Sequence, residues 1–131
     1  MIETEKTEKI TINLGPVDLG QIDLLVQEGF YSNRTDFIRT AIRNQLTTHA
    51  EVVKSTTARK TLVLGVQYYT RRDLEAVRAA GEKLQINVLG LASISADVSP
   101  ELALATIDSV VVLGAFRASP EVKAALASRI T

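Results

Sequence analysis

Lys9, Thr11 and Asn13 occupy alternate positions of the segment KITINL, with Ile10, Ile12 and Leu14 between and after them. Strict alternation of polar and apolar residues is the signature of a half-buried β-strand. One face of such a strand carries an ammonium, a hydroxyl and a carboxamide in a row, and the other is purely aliphatic. The polar row suits hydrogen bonding to base edges. Asparagine pairs bidentately with adenine, lysine donates to guanine, and threonine donates one bond or meets a thymine methyl.

A lone strand has two unpaired edges, so it needs a partner. No second strand lies nearby in the sequence to form a hairpin. The simplest solution is the same strand from a second copy of the chain, antiparallel across a two-fold axis. A two-stranded ribbon of this kind fits the DNA major groove.

The residues that follow must position that strand. Gly15-Pro16 opens a first helix, since proline at the first helical position loses no hydrogen bond. Leu19, Ile22, Leu25 and Val26 recur at helical spacing, and Gly29 supplies a left-handed cap. Gly20 weakens this helix and is expected to permit close packing. After the Phe30-Tyr31-Ser32 turn, Asn33-Arg34-Thr35-Asp36 reads as a variant capping box, with Asn33 as the cap and Asp36 at the third position. Phe37, Ile38, Ala41, Ile42 and Leu46 form the apolar stripe of a second helix, extended from Thr47 to about Lys54. Its N-terminus offers free N–H groups and a partial positive charge to a phosphate.

Residues 9–46 resemble the ribbon-helix-helix DNA-binding proteins, in particular CopG/MetJ/Arc-type regulators. The resemblance rests on the KITINL strand, the Gly29-Phe30-Tyr31-Ser32 turn and the N-R-T-D-F-I-R start of the second helix. The commoner family form of that start reads S-R-S-E-x-I-R, so Asn33, Thr35 and Asp36 are conservative departures. The resemblance covers about a third of the chain and implies an intertwined dimer. It implies that Lys9, Thr11 and Asn13 read base edges. It also implies that backbone amides around Asn33, Arg34 and Thr35 anchor a phosphate.

Charge qualifies this picture. Fifteen basic and fifteen acidic residues cancel, whereas many nucleic-acid binders are clearly basic. Residues 34–60, however, hold Arg34, Arg39, Arg43, Lys54, Arg59 and Lys60 against Asp36 and Glu51, an excess of four positive charges. Several dimers acting together are therefore expected, rather than one strong electrostatic footprint. The charged leader MIETEKTEKI has no apolar run, which argues against a signal peptide. No stretch approaches the length of a membrane span. A cytoplasmic protein with no membrane partner is the expectation.

Residues 55–60, STTARK, read as a polar linker between a DNA-binding and dimerisation domain at 1–54 and a second domain at 61–131. The second domain repeats itself. TLVLG, INVLG and VVVLG end in Gly65, Gly90 and Gly114, spaced 25 and 24 residues apart. Each is followed by a helix start: Thr70-Arg71-Arg72-Asp73, Ser99-Pro100-Glu101 and Ser119-Pro120-Glu121. Leu74, Val77 and Leu84, then Leu102 and Leu104, then Val122 and Leu126 supply apolar faces. The fold class is thus α/β, with three β-loop-α repeats forming a solenoid or a three-stranded parallel sheet. Continuous apolar strands such as Val110-Val111-Val112-Leu113 suggest burial on both sides.

Little in this half suggests chemistry. The single histidine, His49, and the absence of cysteine argue against a metal site. His49 falls at the end of the second helix, where capping or solvation is its expected role. Ser93, Ser95 and Ser99 have no histidine nearby in sequence, and no Gly-rich phosphate loop is present. Neither catalysis nor a cofactor is expected. Assembly remains. Thr131 follows the last helix almost at once, so nothing is expected to cap the stack, and residues 61–131 should join dimers into tetramers or arrays. The sequence reads as a double-stranded-DNA-binding transcriptional repressor. The alternative is an antitoxin or assembly adaptor whose C-terminal half binds a partner protein.

Overall fold

The computed structural model describes residues 7–131; residues 1–6 of the polar leader lie outside the described residues. The described chain forms two units, Thr7–Thr56 and Thr57–Thr131.

In the first unit, residues 7–15 have no regular secondary structure within a single chain. Helix α1 follows at Pro16–Gln27, with Pro16 in its first turn. It closes in a Schellman motif. The Phe30 N–H donates to the Leu25 carbonyl at 3.0 Å and the Gly29 N–H to Val26 at 3.1 Å, with Gly29 at φ 86°. A Cβ on Gly20 would meet no other part of the single chain within 4 Å, so no close intrachain packing explains it. Helix α2 spans Arg34–Thr48 and ends at His49, its C-cap, whose ring lies 3.3 Å from the Gln45 amide.

The continuation of α2 is a separate helix, α3, at Ala50–Arg59. Residues 55–59, expected to be linker, form its last turn and a half. Ser55 satisfies its hydroxyl on the Val52 carbonyl, and Glu51 and Arg59 complement the dipole at the two ends. The chain breaks direction only at Thr61, at φ 56°.

The second unit is a three-stranded parallel sheet in the order β1 (Val63–Tyr69), β2 (Leu84–Ile94), β3 (Ile107–Arg117). Helices α4 (Arg71–Ala79), α5 (Pro100–Thr106) and α6 (Pro120–Ala125) follow the three strands in turn. All three helix starts are capped as their sequences predict. Thr70 and Asp73 form a reciprocal capping box, while the Ser99 and Ser119 hydroxyls accept from the N–H groups of Leu102 and Val122.

The strands do not stop at their glycines, as the sequence suggests, but run through them. Gly65, Gly90 and Gly114 pair side by side across the sheet. Their φ values of 127°, 140° and 125° belong to a region that only glycine occupies readily. A Cβ on Gly90 would lie 2.1 Å from the Gly65 carbonyl oxygen, and one on Gly114 would lie 2.1 Å from that of Gly90. The glycine column is therefore a packing requirement of the register.

Burial on both sides is incomplete: in β2 both Leu91 and Ala92, on opposite faces, are buried, but the outer face is open at β1 and β3. Leu74, Leu102, Val122 and Leu126 from the helices pack with Ile86, Val88, Ala92, Ile94 and Val110 from one face of the sheet. No described element covers the other face, where Leu64 is 71% and Leu113 is 52% exposed. The uncapped end is also partly corrected. Ile130 bridges to Val110 in parallel, and the Thr131 N–H donates to the Val110 carbonyl, covering part of the β3 edge.

Replacing Gly65, on an edge strand with open space around it, by Ala should cost about 1–3 kcal/mol of backbone strain. Gly90→Ala adds a carbonyl clash of at least about 1–3 kcal/mol more. Urea denaturation of the two variants measures the difference; equal losses would show that stacking of the glycines is not what matters.

Candidate nucleic-acid interface

The first unit cannot bury its own apolar residues. Ile22 is the one buried hydrophobic residue among its described positions, and α2 contributes none. Ile10, Ile12 and Leu14, the aliphatic face of the segment expected to be a strand, are 76%, 55% and 41% exposed. An open apolar hollow lies beside them, lined by Leu14, Ile22, Leu25 and Phe37 with Asp18 and Gln21. Strand hydrogen bonds need a second strand, and in the single chain residues 9–14 form no strand, contrary to the expectation from their alternation. Lys9, Thr11 and Asn13 are all exposed in this segment.

The start of α2 is sharply defined. The Asp36 N–H donates to Asn33 Oδ1 at 2.8 Å. The Asp36 carboxylate in turn accepts from the Ser32 N–H at 2.9 Å, one residue earlier than in the usual reciprocal box. N–H groups of a first helical turn have no intrahelical acceptor. With that of Asp36 taken by the cap, those of Arg34 and Thr35 are left open at the positive end of the helix dipole. Tyr31 stacks edge-to-face on Phe37, with ring centroids 5.0 Å apart, and fixes the turn against the helix.

Arg34 offers its backbone but not its side chain. Its guanidinium is held bidentately by Asp23 of α1, with Nε–Oδ1 at 2.8 Å and the second contact at 2.9 Å. Both side chains are about half exposed. The pair contributes little stability by itself, but its fork geometry fixes α1 against α2. The hydrogen bond from Arg34 and then its charge hold the Asp23 carboxyl below the usual aspartate range.

Two residues outside the expected set join the site. Arg39 and Arg43 line one shallow polar depression with Ser32, Asn33, Thr35 and Asp36. Thr35, Arg39 and Arg43 follow each other at four-residue intervals, which places them on one helix face. That spacing was visible in the sequence. Asn33 and Thr35 are thus brought together with two cations, Arg34 does not line the depression, and the single chain does not tie Lys9, Thr11 and Asn13 to them.

The model of the ribbon-helix-helix transcriptional regulator family matches residues 5–123. The chain belongs to this family. The match extends well past α2 and through the parallel sheet, so both units lie within the family pattern. An uncharacterized protein of Methanocaldococcus jannaschii is 42% identical over 40 residues, which is 30% of this chain and 41% of that relative. The chain therefore covers less than half the length of this relative. No solved structure matches the chain. Among the described residues no helix is long and apolar enough to cross a membrane.

The lowered Asp23 value fixes a pH signature. A depressed carboxyl stabilises the folded state above its unfolded value of about 3.9, and that contribution disappears as pH falls through the folded value. Asp23→Asn should therefore unfold at lower urea than wild type at pH 7, and the two curves should converge in acid. A gap between their midpoints that persisted at pH 2 would exclude the ion pair as its source.

Proposed function

We propose that the protein is a DNA-binding transcriptional repressor that reads the major groove with a two-stranded ribbon. The observation that carries this reading is the exposed aliphatic row Ile10, Ile12 and Leu14 beside an unfilled apolar hollow. Pairing residues 9–14 of two chains antiparallel would bury both rows and turn the two Lys9-Thr11-Asn13 faces outward together. At about 25 cal/mol per Å² of apolar surface, closing such a face favours a permanent dimer.

In this arrangement Lys9, Thr11 and Asn13 read base edges. The open amides of Arg34 and Thr35, with Asn33 as the cap, receive a backbone phosphate. Arg39 and Arg43 add charge beside that phosphate and strengthen the anchor without reading sequence. The bidentate Arg34–Asp23 pair keeps the anchor at a fixed offset from α1. The C-terminal module contributes self-association, which adds to the stability of the ribbon-paired dimer.

An operator can be selected from random duplexes by the full-length protein. Replacing Lys9, Thr11 and Asn13 together by Ala should weaken binding to that operator by about 10²-fold or more, since each good base contact contributes about 1–3 kcal/mol of discrimination. Light scattering should still show a dimer. Fluorescence anisotropy reads the affinity, and an unchanged affinity for the selected operator would reject the strand as the reading element.

A further inference from the structure

Parallel sheets are ordinarily covered on both faces, because their strands are apolar on both. Here α4, α5 and α6 all pack against the face that carries Ile86, Val88 and Val110. The opposite face presents register-matched rows. Asn87 beside Val111 forms one, Leu64, Leu89 and Leu113 the next, Val66, Leu91 and Ala115 the third, and Tyr68, Ser93 and Arg117 a fourth at one end. These leucines and valines are absent from the helix-side core. The two central rows carry no charged side chain, which disfavours DNA or a charged protein as the covering partner.

The size of the patch identifies what can cover it. Three strands about 4.8 Å apart, overlapping over the seven residues of β1, give a shared footprint of roughly 300 Å². Stable association of two free proteins needs about 800 Å² per partner. A free partner in dilute solution would therefore be held too weakly. A second copy of this chain already attached through the N-terminal ribbon is different, because attachment raises its local concentration to about the millimolar range. Only Lys60, Thr61 and Leu62 separate α3 from β1, so the tether is short.

We propose that the open sheet face, centred on Leu64, Val66, Leu89, Val111 and Leu113 around the already buried Leu91, docks on the same face of a second copy of the chain. The proposal rests on the ribbon-paired dimer described above. The contact is isologous: each sheet covers the other at about 10 Å, with the helices of both copies outside. It deepens the self-association assigned to this half by placing it on the sheet face and not on the strand edges, one of which Ile130 and Thr131 partly cover.

The chain has no cysteine, which makes a single introduced thiol a clean reporter. Full-length Leu89→Cys, at the centre of the face, should be joined into covalent dimers by a short bismaleimide, in a yield independent of protein concentration. Glu75→Cys, exposed on α4, should not be. Adding Leu64→Glu and Leu113→Glu, both at exposed positions, should abolish the Leu89→Cys product while circular dichroism stays that of the folded chain. The proposal is overturned if Leu89→Cys crosslinks no better than Glu75→Cys, or only in proportion to concentration. Light scattering on wild type tests the ribbon separately. A monomer there rejects the ribbon, whereas a dimer without the Leu89→Cys product rejects only the sheet contact.

Discussion

Apolar surface that one chain cannot bury governs this molecule. In the first unit it is the row Ile10, Ile12 and Leu14, with a hollow beside it formed by Ile22, Leu25 and Phe37. In the second it is the uncovered face of a parallel sheet. The two cases differ in kind. A strand over residues 9–14 would need both backbone partners and side-chain cover, and the single chain supplies neither. The sheet satisfies its own ladder and lacks only a lid.

The polar features of the first unit complement this incompleteness. Asn33 and Asp36 consume the N–H groups that a capped helix must satisfy, and Asp23 occupies the Arg34 side chain. What is left over is the pair of amides at Arg34 and Thr35, with Arg39 and Arg43 in one depression with Thr35. A site defined by which donors remain after local satisfaction is suited to an anion of fixed position. It supplies register, while the alternating strand residues supply discrimination.

Membership of the ribbon-helix-helix family extends over residues 5–123, so the sheet module belongs with the helical unit as part of one family pattern. Its glycine column explains why a repeated LG sequence recurs at nearly constant spacing. Neighbouring strands approach so closely at Gly65, Gly90 and Gly114 that a side chain on the second or third would strike the preceding carbonyl. A spacing of 25 and 24 residues follows from fitting one helix and two connections between successive members of that column.

Local chemistry was legible in the residues themselves. Gly29, Asn33, Thr70, Ser99 and Ser119 announce the ends of helices because capping involves groups no more than a few positions apart. The LG repeats likewise announce parallel strands, since they recur at one spacing. What the sequence could not decide was set by distance and by layer. The Asp23–Arg34 pair spans eleven positions across a turn, beyond the reach of any local pattern. Val111 and Leu113 look as buried as Val110 and Val112 in a run of VVVL. Only the placement of all three helices on one side separates a core face from an open one, because an apolar strand records that it wants cover and not which neighbour provides it.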